Sequence, residues 1–273
     1  SLLLLFVFLS AFLAPPLSRL LRMPVPVGEL VIGLLLGHFL AQGVALPEIL
    51  GFLADFGFLL LMFLAGLEVD FNLLRQLERR HFVFYALYVV GMFLGAGLLA
   101  GLLGVGLAQA LILALVSIGL MVATLRDMGI LGRAFAKRVL ILGVLGEVAS
   151  LFGLTAMEKA AHYQGLLSLL KEVGIIALFF LLLFLAFRLA GLFLWWYPEV
   201  GRRLVYEEDP SAMGIRLSLA LMFAAAVMSG LVGLESVLGA FLAGMILSYF
   251  LQKKHDLEAK LSAMGYGFLI PIF

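Results

Sequence analysis

"VLILGVLGEVASLFGLTAM", residues 139–157, holds nineteen residues of which one, Glu147, is charged. A helix that crosses a bilayer needs about 20 mostly apolar residues, and this run has that length. The composition around it decides between a membrane span and a buried core. The chain is 64% hydrophobic and 13% charged, well outside the range of soluble domains. Its 273 residues could not present a water-compatible surface, so most of them face lipid or other apolar helices. Transmembrane strands would alternate in polarity, and these runs do not.

Other broad classes fall away quickly. There is no cysteine, which excludes disulfides and thiolate metal sites. No low-complexity tract or long linker marks off a separate soluble domain. Ser1 leads straight into "LLLLFVFLSAFLA" (2–14), and the basic residues Arg19 and Arg22 follow that run instead of preceding it. The pattern predicts a retained membrane helix, not a removed leader. The last residues, "GFLIPIF" (267–273), fall inside an apolar run, so the protein is expected to continue past Phe273.

Apolar runs set against charge clusters predict spans near 2–18, 24–41, 50–68, 82–102, 107–125, 139–157, 173–195, 213–230 and 235–250, with a tenth opening near 261. Basic residues orient them. The odd-numbered connections carry Arg19 and Arg22; Arg75, Arg79 and Arg80; Arg126, Arg133, Lys137 and Arg138; Arg188, Arg202, Arg203 and Arg216; Lys253, Lys254 and Lys260. The even ones hold only Lys159 and Lys171, both near glutamates. The odd connections are therefore expected in the cytoplasm and the N-terminus outside, in a multi-pass protein of the cell's inner (plasma) membrane. Trp195, Trp196 and Tyr197 close the seventh span where an interfacial aromatic belt belongs.

Two stretches recur. "GFLLLMF" (57–63) matches "GFLIPIF" (267–273), and "GELVIGLLLG" (28–37) resembles "LESVLGAFLAG" (234–244), pairing Glu29 with Glu235 and Gly33 with Gly239. The second and ninth spans run in opposite directions, so the matched halves are inverted. Inverted repeats are the mark of secondary transporters, whose substrate sites lie near the bilayer midplane. The expected organisation is a first repeat of six helices over 1–157, a linker with the seventh helix over 158–212, and the start of a second repeat over 213–273.

Glu147 lies eight residues past Val139, about 12 Å along a helix at 1.5 Å per residue. It therefore stands close to the middle of a hydrocarbon core about 30 Å thick. Glu29 and Asp55 sit shallower in their spans, and Glu68, Asp70, Asp127 and Glu235 lie near span ends. An ionised carboxylate at midplane is costly and by default marks an ion or proton pathway; the alternative is a protonated glutamate bonded to a neighbouring helix. No Lys or Arg lies at similar depth to pair with it, and the histidines at 38, 81, 162 and 255 all fall at span ends. No zinc-binding His-Glu-x-x-His pair, thiol nucleophile, second midplane acid or phosphate-binding loop appears, so neither an enzyme nor an ATP-driven pump is expected.

In the preceding span, "ALVSIGLMVATLRDMG" (114–129), Ser117 and Gly119 fall about halfway across. They suit a broken helix whose freed carbonyl and amide groups help to ligate an ion; they equally suit small-residue packing. Ser150, one turn beyond Glu147, offers a hydroxyl to the ion or to its own backbone. The Gly-x-x-x-Gly pairs at 33/37 and 91/95 read as sites of close helix packing.

"RMPVPVGELVIGLLLGHFL" (22–40), "GFLLLMFLAGLEVD" (57–70), "ATLRDMGIL" (123–131) and "ESVLGAFLAGMILS" (235–248) resemble the bacterial monovalent cation:proton antiporters of the second cation–proton antiporter group. That group includes Na⁺/H⁺ antiporters and glutathione-gated K⁺-efflux proteins. The resemblance covers essentially the whole chain. It implies an all-α fold of thirteen membrane helices in two inverted repeats, a homodimer, and a core that moves against a dimerisation scaffold. The implied cation site lies beside crossed, interrupted helices, with the first interruption at Ser117 to Gly119. The family's Asp-Asp, Asn-Asp or Gln-Asp pair falls on the sixth span, where this chain reads Gly146-Glu147. A one-residue gap aligns Glu147 with the ion-binding acid and Gly146 with its partner; without the gap Glu147 comes first and Val148 second.

The function expected from these readings is exchange of a monovalent cation, Na⁺ or K⁺, for protons. Glu147 is the ligand of both, with Ser117, Gly119 and Ser150 beside it and Asp55 and Gly146 as second choices. One carboxylate carrying either a proton or a cation gives one-for-one, electroneutral exchange. The expected partners are the bilayer, the two ions and a second copy of the chain, without nucleic acid or cofactor. The rival readings are a Na⁺-coupled symporter of the same fold and a gated K⁺-efflux channel or sensor.

Overall fold

The computed structural model describes residues 2–40, 47–69, 79–114, 116–130, 133–161, 212–232, 234–250 and 255–273, with isolated helical positions between Gly174 and Trp196. The seventh span, 173–195, otherwise lies outside the described residues, as do most of 158–212, Asp70, Trp195 and Tyr197. Everything described is helix or the short connection between helices. The elements are α1 (Leu2–Leu20), α2 (Val25–Leu40), α3 (Glu48–Leu67), α4 (Arg79–Leu103), α5 (Leu107–Leu113), α6 (Ile118–Asp127), α7 (Ala134–Ala161), α8 (Met213–Leu231), α9 (Ser236–Phe250) and α10 (His255–Met264). A π-helical turn, Gly265–Leu269, and a 3₁₀ turn, Ile270–Ile272, continue α10.

The other spans predicted from hydropathy correspond to these helices with ends moved by a few residues. Among the described residues, four stretches are long and apolar enough to cross a membrane, Glu48–Leu67, Val83–Leu103, Gln109–Asp127 and Met213–Leu231; shorter apolar helices accompany them. The protein is an integral membrane protein. The fifth span is the exception to continuity. It is two helices, α5 and α6, separated by residues 114–117, so Ser117 closes the interruption and Gly119 already belongs to α6.

Helix α3 is the centre of the packing, and every residue from Leu60 to Leu67 is buried. Leu60, Phe63, Leu64 and Leu67 join Met222 of α8, Ala240, Ala243 and Leu247 of α9 and Leu257 and Leu261 of α10 in one apolar cluster. Met62 and Ala65, on another side of α3, meet Ile118, Val122 and Leu125 of α6, Leu140 of α7 and Phe241 of α9 in a second. Helix α8 turns Ser218, Met222, Ala226 and Ser229 inward, the helical spacing of a single buried face. Helix α4 leaves Leu87, Leu94, Leu98 and Leu102 exposed, which in a bilayer is lipid-facing surface and carries no penalty.

Glycine sets the closest approach. A Cβ on Gly66 would collide with the Phe241 carbonyl, and one on Gly244 with the Phe63 carbonyl. The backbones of α3 and α9 therefore touch through reciprocal glycines, as small residues allow in membranes. Among the described residues this differs from what spacing led one to expect. Gly33, Gly37, Gly91 and Gly95, the predicted packing pairs, have nothing described within 4 Å of where a side chain would begin. Spacing records that a residue is small; which surface it meets is decided by the fold.

Of the recurring stretches, 57–63 and 267–273 lie against each other. Gly57 backs onto the Leu269 carbonyl, and the Phe58 and Phe273 rings stack at 4.3 Å with planes 3° apart.

The first, third, fifth and ninth connections meet at one end of the bundle. The Val25 N–H donates to Asp127 Oδ2 at 3.1 Å, Ser248 Oγ donates to the Val69 carbonyl at 2.9 Å, and Arg126 bridges Glu68 and Glu258. Those contacts place the ends of the first, third, fifth and ninth connections together, as alternate crossing of a membrane requires.

Candidate functional site

The interruption between α5 and α6 leaves polar groups of both half-helices without intrahelical partners, since the first N–H groups and last C=O groups of any helix are unpaired. Water satisfies such groups at a protein surface, but inside a bilayer the protein must do so. Here α7 does it. Ile118 N–H, at the start of α6, donates to Glu147 Oε2 at 2.6 Å. At the end of α5, the Ala114 carbonyl accepts from Ser150 Oγ at 2.8 Å.

The match is electrostatic as well as geometric. Glu147 and Ser150 are three residues apart and share one face of α7. The acceptor of the pair meets the N-terminal, positive end of one half-helix, and the donor meets the C-terminal, negative end of the other. Ser150 Oγ also lies 2.7 Å from the Gly146 carbonyl. One hydroxyl proton serves one acceptor fully, so Ser150 divides it between the interruption and its own helix.

Glu147 stands at the middle of the 28-residue helix α7. It is 8% exposed and is the only acidic residue among the described ones to be buried. Gly143 and Gly146 flank it. A side chain at Gly146 would begin 3.1 Å from Val116 Cγ2, and one at Gly143 3.0 Å from Met121 Sδ. These two glycines are why the interruption lies flat against α7, bringing Ile118 within reach of the carboxylate. Gly146 is here the space that Val116 fills.

The remaining predicted residues divide. Ser117 is the N-cap of α6; its Oγ accepts from the Leu120 N–H at 3.3 Å and the residue is exposed. Gly119 is buried against α3, where a side chain would begin 2.9 Å from Leu61, so its small size serves helix packing. Asp55 is exposed on the first half of α3, about two turns before Leu61, and among the described residues nothing joins it to Glu147. Ser117, Gly146, Glu147 and Ser150 come together; Asp55 does not. The Ile118 N–H and Ala114 carbonyl escaped the sequence reading because backbone groups carry no residue signature. A run of small residues marking a break was the one available hint. No cluster of three or more His, Asp or Glu occurs among the described residues.

The arrangement is a buried carboxylate facing a half-helix N-terminus, with a hydroxyl and freed carbonyls one turn away. It can hold a proton on the carboxylate or a partly dehydrated cation between carboxylate and oxygen dipoles.

Comparison with known proteins identifies similar chains. The family model described as "Sodium/hydrogen exchanger, transmembrane" matches residues 8–273. A putative Na⁺/H⁺ antiporter of Bacillus subtilis, YjbQ, is 28% identical over 98% of this chain and 45% of its own length. A probable Na⁺/H⁺ antiporter of Methanocaldococcus jannaschii is 29% identical over 98% of the chain and 68% of its length. The Na⁺/H⁺-K⁺ antiporter GerN of Bacillus cereus is 27% identical, again over 98% and 68%. The chain thus spans between about half and two thirds of the length of these relatives.

Proposed function

The chain belongs to the sodium/hydrogen exchanger family, and from that premise we propose that it exchanges a monovalent cation, Na⁺ or K⁺, for protons by alternating access. The carrying observation is Glu147, buried at the centre of α7 and bonded to the first N–H of an interrupted helix. In one half-cycle its carboxylate holds a proton, and in the other the cation. Competition for one group couples the two fluxes, because the transporter crosses loaded with one ion or the other.

The α6 N-terminus steadies the ionised form while the cation is exchanged. One carboxylate alternating between one proton and one monovalent cation moves no net charge, so exchange is electroneutral. Within this reading the odd connections face the cytoplasm, the N-terminus lies outside the plasma membrane, two inverted repeats build the fold, and the protein works as a homodimer. The contact of the two recurring stretches at Gly57 and Leu269 supports the repeat. The gathering of odd connections at one end supports the topology.

The test is reconstitution in liposomes with an internal pH dye, adding Na⁺ or K⁺ to the unsubstituted protein and to Glu147→Gln. Cation-driven proton movement that disappears in the folded variant is the expected result and names the ion. Movement that persists would make Glu147 structural. None in either protein would sink the exchange reading and favour symport or a gated channel. A voltage-sensitive dye in the same vesicles checks electroneutrality.

A further inference from the structure

Helix α6 is held at both ends. Its first N–H is on Glu147. Its last two residues reach three other elements. Arg126 Nη2 lies 2.5 Å from Glu68 Oε1, just past the end of α3, and 3.3 Å from Glu258 Oε1 on α10. The guanidinium carbon stands 4.9 Å from the centre of the Tyr266 ring, which the π-helical turn carries. Asp127 Oδ2 takes the Val25 N–H at the start of α2. The eight residues between Ile118 and Arg126 span about 12 Å.

Between those ends the contact is apolar. Ile118, Val122 and Leu125 of α6 pack with Met62 and Ala65 of α3 and Phe241 of α9. Apolar contact is non-directional, so such a seam can shift while its area stays covered. Charge-assisted hydrogen bonds depend on short distances and orientation and do not tolerate a shift. The side chains of Arg126, Glu68 and Glu258 are 30%, 16% and 18% exposed. A fully exposed pair would hold little, and a fully buried one would not release. Arg126 Nε and the Tyr266 hydroxyl are also buried without a partner among the described residues. Native structures rarely leave such groups unmatched, and a second arrangement of this corner can satisfy them.

We propose that Arg126, pairing with Glu68 and Glu258 while Asp127 holds Val25, is a latch that closes the seam between the α6–α7 unit and the α3/α8/α9/α10 bundle at the end where the odd connections meet. Opening the latch lets the Glu147 site face that side, and closing it turns the site to the other. The inference rests on the exchange reading only in requiring that the site face the two sides in turn.

These 273 residues hold no cysteine, so thiol labelling gives a direct test once any cysteine outside them is replaced. Ser117→Cys puts a single thiol at the exposed end of the interruption, and a membrane-impermeant maleimide is applied to oriented vesicles from either side. With the latch intact, labelling comes from the even-connection side. Arg126→Gln raises the rate from the odd-connection side at least ~10-fold, a shift of about 1.4 kcal/mol in the equilibrium. Glu258→Gln, which keeps the Glu68 pair, gives a smaller rise in the same direction and stands in if Arg126→Gln does not fold. Unchanged odd-side labelling in the folded variants overturns the latch. Labelling does not depend on which ion is carried. A failed latch therefore shows as unchanged labelling in the variants while the unsubstituted protein still exchanges. A failed exchange reading shows as no cation-driven proton movement in the unsubstituted protein.

Discussion

Ile118 and Glu147, 29 positions apart, are joined by a 2.6 Å hydrogen bond from the Ile118 N–H to the carboxylate. The bond ties the start of one half-helix to the centre of another helix, so the length of the acidic side chain matters. Glu147→Asp keeps the charge but withdraws the carboxylate by about 1.5 Å, one methylene, from that N–H. A hydrogen bond to a charged group contributes about 1.5–3 kcal/mol. The apparent KM for the cation should rise on the order of 10-fold or more, measured by dye-reported exchange in liposomes. An unchanged KM would mean that Ile118 does not position the carboxylate.

Proton and cation sharing one carboxylate fixes the sign of the pH response. As pH falls, more Glu147 is protonated and a higher cation concentration is needed to displace the proton. Where the group is mostly protonated, the apparent KM should rise ~10-fold per unit of pH while the maximal rate stays level, as for one proton competing at one site. Exchange at several fixed pH values on both sides reads this out. A falling maximal rate with constant KM would point to separate sites.

Ser150 holds the other half-helix by donating to the Ala114 carbonyl. Ser150→Ala leaves that carbonyl without this donor, at a cost of about 1–2 kcal/mol, while Ser150→Thr keeps the hydroxyl. The alanine variant should unfold earlier in detergent and bind the cation more weakly, and threonine should restore both. If alanine lowers stability and leaves KM untouched, Ser150 is only a structural pin.

The glycines separate by what they touch. Gly244→Ala drives a methyl into the Phe63 carbonyl, and backbone cannot swing aside as a side chain can. Overpacking of this kind costs about 3 kcal/mol, so folded protein should be largely lost. Gly33→Ala meets open space among the described residues and removes a helix-interior glycine, a gain of up to about 1 kcal/mol. Monodisperse yield and thermal unfolding in detergent compare the two. Equal effects would show that the α3–α9 crossing is looser than the structure has it.

Hydropathy and charge are properties of short stretches, and what they govern was legible without a structure. The described spans and the all-helical class follow from runs that are too apolar for water and too long for strands. Glu147 stood out because a lone carboxylate at midplane has few explanations, and "VSIG" (116–119) hinted at a break because Ser117 and Gly119 are poor helix formers. Tertiary structure decided everything that depends on which surfaces meet. It put Val116 in front of Gly146, gave Gly119 to Leu61, set Asp55 aside, and moved close packing from Gly33/Gly37 and Gly91/Gly95 to Gly66 and Gly244. It joined Arg126 to Glu68 and Glu258 from 58 and 132 positions away. The physical reason is that backbone N–H and C=O groups are the same at every residue. Only the arrangement of helices makes the Ile118 N–H and the Ala114 carbonyl different from the rest.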